Sequence, residues 1–161
     1  MTAVELALAD AAATERLGAR LARALDAAPA VIALQGELGA GKSTLARALL
    51  RALGVAGTIR SPTYTLVEPY EAGGRRIFHL DLYRLADAEE LEYLGVRDLG
   101  AASALLLIEW PERAAGALPA VDLWVRMTYQ GRGRMAALSP GSSHGEAILS
   151  GLHGEAQKVG G

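Results

Sequence analysis

The chain contains neither cysteine nor asparagine, and of its sixteen lysines and arginines only two are lysine. Without cysteine there is no disulfide, no thiol nucleophile and no thiolate metal site, a composition in keeping with a cytoplasmic protein. Without asparagine the N-K-x-D element that reads guanine cannot be present, which weighs against a GTPase. One Phe and two Trp leave the core to Leu, Ala and Val, which dominate a composition that is 51% apolar. No apolar run approaches the roughly 18 residues of a membrane span. The N-terminal segment carries Glu5 and Asp10 with no early basic cluster, unlike a secretory leader. A net charge of −2 does not suit a protein that coats DNA, RNA or an anionic membrane, although it leaves room for a small local RNA contact. A soluble cytoplasmic protein is expected, without membrane or DNA partners.

What is present centres on one of the two lysines. Gly36-Glu37-Leu38-Gly39-Ala40-Gly41-Lys42-Ser43 fits G-x-x-x-x-G-K-[ST], while the other lysine, Lys158, lies in a Gly-rich tail. A chain that otherwise uses arginine for positive charge keeps lysine where a phosphate-wrapping loop needs a thin stem and a compact ammonium. Val31-Ile32-Ala33-Leu34 reads as a buried strand leading into the loop. Leu45, Ala48, Leu49 and Ala52 recur at helical spacing after it, and Gly54 supplies a stop. Strand, glycine loop and helix is the order in which backbone N–H groups and a helix dipole converge on an anion. Lys42 would reach the β- and γ-phosphates, and the Ser43 hydroxyl would ligate Mg²⁺.

At 161 residues the chain fits one domain, long enough to bury about two-thirds of its unfolded surface. That domain is expected over residues 1–150, with a flexible tail over 151–161. Leu17, Leu21, Ala24 and Leu25 form a helical stripe with Asp10 or Thr14 near its start, and Pro29 separates it from the loop's strand. Thr58 to Pro62 reads as a loop. Thr65 to Tyr70 and Arg75 to Leu80 read as paired strands turning through Gly73-Gly74. Asp87 can cap a short helix that Gly95 ends. Ala104 to Ile108 is continuous and apolar, as in a parallel strand covered on both faces. A short helical turn at Glu112 to Leu118, strands at Val121 to Thr128 and Arg134 to Ser139, and a last turn at Ala147 to Leu152 complete the pattern. The fold class is α/β: a three-layer P-loop NTPase-like domain with a mixed, mainly parallel sheet and an inserted antiparallel hairpin.

A phosphate loop needs an acidic partner for its magnesium, usually at the tip of an apolar strand. Asp81 ends Ile77-Phe78-His79-Leu80 and Glu109 ends Leu105-Leu106-Leu107-Ile108; the second strand is the more hydrophobic and Glu109 the better placed. Both can serve, one on the metal and one orienting the attacking water. Ser61-Pro62-Thr63-Tyr64-Thr65 puts hydroxyls on a loop that Pro62 directs, as in a switch that senses the γ-phosphate through magnesium. Trp110-Pro111 follows Glu109, with an aromatic ring suited to stacking or to half-buried packing. His79 is read as packing or as a hydrogen bond behind a ligand. Spacing does not decide the roles of Arg84, Arg113, Arg132 and Arg134.

These segments together resemble the TsaE family (also called YjeE), small ATPases of tRNA threonylcarbamoyladenosine (t6A) synthesis. The resemblance is carried by Thr14-x-x-Leu17-Gly18, the glycine loop through Thr44, Ser61 to Val67 (S-P-T-[FY]-T), His79 to Leu85 (H-x-D-x-Y-R) and Ile108-Glu109-Trp110-Pro111, in the family's order from about residue 10 to 135. It implies an ATP site at Leu38, Gly39, Ala40, Gly41, Lys42, Ser43 and Thr44, with Mg²⁺ on Ser43 and Glu109. It implies catalytic parts for Lys42, Asp81, Glu109 and Thr63, and a mobile switch at Ser61 to Thr65. It also implies action with the TsaB and TsaD proteins, ATP hydrolysis resetting their complex between rounds and tRNA reached through it. Two rivals stand beside this reading: a small-molecule kinase on the same loop, and a nucleotide-dependent scaffold whose hydrolysis is incidental.

Overall fold

Two runs without a charged residue, Ala30–Leu34 and Leu105–Ile108, become adjacent parallel strands at the centre of the sheet, every one of these residues buried. Continuous apolar sequence is what a strand covered on both faces requires. The computed structural model describes residues 3–101 and 104–159. In chain order its elements are β1 (Val4–Leu8), α1 (Ala11–Ala24), β2 (Ala30–Gln35), α2 (Lys42–Ala52), β3 (Val67–Ala72), β4 (Arg75–Asp81), α3 (Glu89–Leu94), α4 (Val96–Ala101), β5 (Leu105–Glu109), a 3-10 turn (Pro111–Ala114), β6 (Leu123–Gln130), β7 (Gly133–Pro140) and α5 (Ser143–Val159).

Among the described residues the seven strands form one sheet in the order β1-β7-β6-β2-β5-β4-β3. The inner pairings β6–β2, β2–β5 and β5–β4 are parallel. The hairpins β3–β4 and β6–β7, and the β1–β7 edge, are antiparallel. The expected three layers follow from strand alternation. Ile32, Leu34, Leu105 and Leu107 face a core shared with Leu17, Leu21, Leu45, Leu49 and Leu149 of α1, α2 and α5. Val31, Leu106 and Ile108 face the opposite core, with Leu91 and Val96 of α3 and α4. Each such leucine contributes about 1.5–3 kcal/mol of burial.

Asp10 caps α1 by accepting the Ala13 N–H at 2.8 Å, worth about 1 kcal/mol. Gly18 lets α1 lie against α2: a Cβ there would stand 2.8 Å from the Ala48 Cβ. That close approach gives Thr14-x-x-Leu17-Gly18 a physical content, since Thr14 and Leu17 are buried on the same face.

Three elements differ from expectation. β1 occupies a segment for which no element was expected; Val4 to Leu8 alternate in burial and pair with Leu138 to Arg134. α4 follows α3 directly after the left-handed Gly95. α5 begins at Ser143 and runs to Val159, so the tail expected from residue 151 is helical, and Leu152 is 4% exposed. Ile148, Leu149 and Leu152 pack on the sheet, and that burial outweighs the helix cost of Gly145 and Gly151. Among the described residues no helix is long and apolar enough to cross a membrane.

Candidate functional site: a phosphate loop beside two strand-end carboxylates

Strand register brings the chemistry together. In the parallel ladder Leu34 of β2 pairs with Glu109 of β5, and Glu109 pairs with Asp81 of β4. The last residues of β4 and β5 therefore form one row with the next-to-last residue of β2, and β2 turns into the glycine loop two residues later. The side-chain period of two sends Asp81 and Glu109 to the same face as Ile77 and Leu107, the face that α2 covers. Both carboxylates end up buried, 6% and 2% exposed, beside the start of α2.

The loop closes tightly on its neighbours. Gly36 has φ +149°, and a Cβ there would meet the Met127 carbonyl oxygen at 2.5 Å, so only glycine fits. The N-cap of α2 is Gly41, whose lack of a side chain leaves the first turn of the helix uncapped and turned toward the cavity. Two side chains from the β6–β7 hairpin hold the loop from outside: the Tyr129 hydroxyl donates to the Leu38 carbonyl at 2.6 Å, and Arg134 to the Gly39 carbonyl at 3.1 Å. Arg134 also stacks on the Tyr129 ring, 4.2 Å from its centroid.

Leu38, Gly39, Gly41, Lys42, Ser43, Thr44, Thr63, Asp81, Tyr83, Arg84, Glu109 and Trp110 line a cavity of about 440 Å³. Within it the Ser43 Oγ donates to Glu109 Oε1 at 3.1 Å, and Glu109 Oε2 lies 2.6 Å from His79 Nε2. Lys42 donates to the Gly36 carbonyl and sits 3.5 Å from the centroid of the Trp110 ring. Trp110 has the left-handed conformation, φ 58° and ψ 50°, which turns its indole back over the loop instead of along the strand. Tyr83 packs against Trp110 with ring centroids 4.9 Å apart and the planes tilted by 47°, and Arg113 lies over Tyr83.

The hydroxyl loop reaches Asp81. Ser61 Oγ and Thr63 Oγ1 are 2.6 Å apart, and Thr63 donates to Asp81 Oδ2 over 3.4 Å, while the Tyr83 N–H donates to Oδ1 at 3.0 Å. The main chain ties the two segments as well, Asp81 N–H donating to the Leu66 carbonyl at 3.0 Å. Thr65 turns the other way and donates to Glu68. Burial raises the Asp81 carboxyl above its ordinary value, and the nearby Glu109 adds to that, against the Tyr83 N–H, His79 and Thr63. Burial lowers Lys42, with Glu109, Glu112 and Asp81 pulling it back up.

Of the residues singled out in the sequence, Leu38, Gly39, Gly41, Lys42, Ser43, Thr44, Thr63, Asp81 and Glu109 share this one cavity. Ala40 is fully buried under the loop, and its N–H donates to Glu37, so its side chain forms no wall of the cavity. Arg84 lines the cavity, whereas Arg132 and Arg134 border a smaller recess of about 170 Å³ on the α1 side, with Thr14 and Thr44. Tyr83, Tyr129 and the His79–Glu109 pair were not assigned to the site from sequence. Strand register reveals the His79–Glu109 pair, the β6–β7 hairpin brings Tyr129 to the loop, and Tyr83 is placed by its contact with Trp110.

The parallel core, the glycine loop at the end of its central strand and the acidic strand tips beside it define a P-loop protein, of the nucleotide-binding class. A sequence model of the family described as Threonylcarbamoyl adenosine biosynthesis protein TsaE matches residues 8–136. The chain belongs to the TsaE family, whose role is in t6A biosynthesis. The tRNA threonylcarbamoyladenosine biosynthesis protein TsaE of Haemophilus influenzae is 46% identical over 120 residues, covering 74% of this chain and 76% of that protein. Its counterpart in a Nostoc species is 38% identical over 140 residues, covering 83% of each. A crystal structure of Bacillus subtilis YdiB shares the fold with a TM-score of 0.81 at 22% identity, over 96% of this chain and 97% of that one.

Proposed function

We propose that this chain binds ATP with Mg²⁺ and hydrolyses it in the cytoplasm, and that hydrolysis resets a TsaB–TsaD complex between rounds of tRNA modification. The observation that carries the chemistry is the Ser43 hydroxyl 3.1 Å from a carboxylate oxygen of Glu109, at the mouth of an uncapped helix. Among the described residues no group of three His, Cys, Asp or Glu is arranged to hold a metal alone. A hydroxyl and one carboxylate suit Mg²⁺, which takes few protein oxygens and completes its shell with phosphate and water. Bound there, the ion would neutralise charge on the β- and γ-phosphates.

The residues divide the remaining work. The main chain from Leu38 to Thr44, including Ala40, cradles the phosphates. Lys42 leaves the Gly36 carbonyl and Trp110 for the β- and γ-phosphate oxygens. Glu109 is engaged at both oxygens, by Ser43 and His79. Asp81 is the less tightly held of the two, its Oδ2 meeting Thr63 only over 3.4 Å, and is the carboxylate assigned to orient water; the burial that raises its pKa suits it to accept a proton. Water oxygen bonds to the γ-phosphorus, the β–γ anhydride bond breaks, and the water's proton passes to Asp81. Thr63 stands where it can report the γ-phosphate to the Ser61 to Thr65 loop. The chain between β5 and β6 makes a 3-10 turn and no lid helix among the described residues, which favours water over a metabolite as acceptor.

The test is reconstituted tRNA modification with TsaB and TsaD, with and without this chain, using ATP or a non-hydrolysable analogue. Many rounds are expected only with the chain and ATP. Many rounds with the analogue would leave a scaffold, and no dependence on the chain would remove the reading altogether.

A further inference from the structure

We propose that His79 is the positioning residue for Glu109: its Nε2–H fixes one carboxylate oxygen so that the other meets Ser43 and the divalent cation. The inference rests on the proposed reading of Ser43 and Glu109 as the ion's protein oxygens. His79 and Glu109 are 3% and 2% exposed, and Nε2 lies 2.6 Å from Oε2. β4 pairs with β5 so that His79 faces Leu107, two residues before Glu109 on the same face. The imidazole thus lies beneath the carboxylate, on the side away from Ser43.

A carboxylate only accepts, so Nε2 carries the proton and donates it. The other ring nitrogen, Nδ1, is buried with no hydrogen-bond partner among the described residues. A bare lone pair there is tolerable where an unpaired N–H would cost more. An aliphatic or phenyl side chain would fill position 79 without an unpaired ring nitrogen, and the one loss would be the partner of Glu109 Oε2. Packing therefore does not require the imidazole, whereas Glu109 uses it. Glutamate turns about three bonds, and a fixed Oε2 removes that freedom before the cation arrives. Partners of this kind are typically worth about 10–100-fold in metal affinity.

The test uses the intact protein with Mn²⁺ as probe, its binding to the ATP complex followed by electron paramagnetic resonance without turnover. His79→Phe should weaken Mn²⁺ about 10–100-fold, and His79→Gln, which keeps an N–H at comparable reach, should return it to within about threefold of wild type. ATP affinity without metal should stay unchanged in both. Equal Mn²⁺ affinity in the two variants overturns the proposal. If His79→Phe does not fold by circular dichroism, His79→Asn, too short to reach Oε2, replaces it. In a Glu109→Gln background His79→Phe should add no further loss, and additive losses overturn the proposal. ¹⁵N shifts of the His79 ring should show the proton on Nε2; a proton on Nδ1 alone overturns it. If ATP is not hydrolysed yet these Mn²⁺ differences hold, the ATPase reading fails and this one stands. If wild type holds no Mn²⁺ in a Glu109-dependent way, both fall.

Discussion

Asp81 and Glu109 are register partners at the ends of two parallel strands, yet they hold different company. Glu109 is engaged by Ser43 and His79, whereas Asp81 is engaged by the Tyr83 N–H and by Thr63 of the hydroxyl loop. Neighbours in sheet register, they are separable by experiment. Glu109→Gln should lower turnover about 10²-fold or more and raise the Mg²⁺ concentration needed for half-maximal rate. Asp81→Asn should lower turnover by a similar factor and leave that Mg²⁺ concentration where it is. Steady-state rates across a Mg²⁺ series distinguish the two.

The raised pKa of Asp81 predicts a pH dependence with a definite sign. Its neutral form is favoured in the folded protein, so the stabilising side lies at low pH and is lost as pH rises through the folded value. At neutral pH the buried charge costs stability, and Asp81→Asn should melt higher than wild type there. The advantage should shrink as pH falls toward and below the ordinary carboxylate value of 3.8. In catalysis the acid limb of kcat/KM should lie above that value and be absent from the residual activity of Asp81→Asn. Melting curves and rate profiles over the same buffers check both statements.

Lys42→Ala should weaken ATP binding about 10–100-fold, the worth of one or two charged hydrogen bonds. Titration calorimetry reads this directly. The substitution also removes an ammonium from the face of Trp110, 3.5 Å away. Tryptophan emission should therefore change when ATP draws Lys42 off the ring in the wild type. The change should vanish in Lys42→Ala and in Trp110→Phe, although Trp124 remains in both.

Gly36→Ala should destabilise the protein by about 1–3 kcal/mol and abolish ATP binding. The added carbon has no room beside the Met127 carbonyl, and the backbone conformation at φ +149° disfavours any side chain. Chemical denaturation gives the first quantity and calorimetry the second. Wild-type stability with intact binding would show that the loop can open at that point without cost.

Much of this site could be read before folding because its information is local. The glycine loop, its preceding strand and its following helix are contiguous, and Asp81 and Glu109 announce themselves as polar ends of apolar runs. What could not be read depends on partners far away in sequence. β1 is a five-residue edge strand whose pairing with β7 lies about 130 residues on, and its Ala and Leu residues suit a helix equally well. α5 hides behind Gly145, Gly151 and Gly154, and only the burial of Ile148, Leu149 and Leu152 accounts for its length. His79 could be read as packing or as a hydrogen bond behind a ligand, and only parallel register decides between them by bringing it to Glu109. Tyr129 and Arg134 belong to the site because the β6–β7 hairpin ends beside the loop, which no spacing in the sequence reveals.

Leu66, at φ 67°, receives the Asp81 N–H on its carbonyl, five residues beyond Ser61. The hydroxyl segment and the acidic strand tip are thereby yoked through the backbone, and one does not shift without tugging the other. Tyr64, 83% exposed on that segment and stacked under Arg84, is the outer end of the linkage. A pull on that exposed ring is carried inward along the main chain to the buried carboxylate, with nothing entering the pocket.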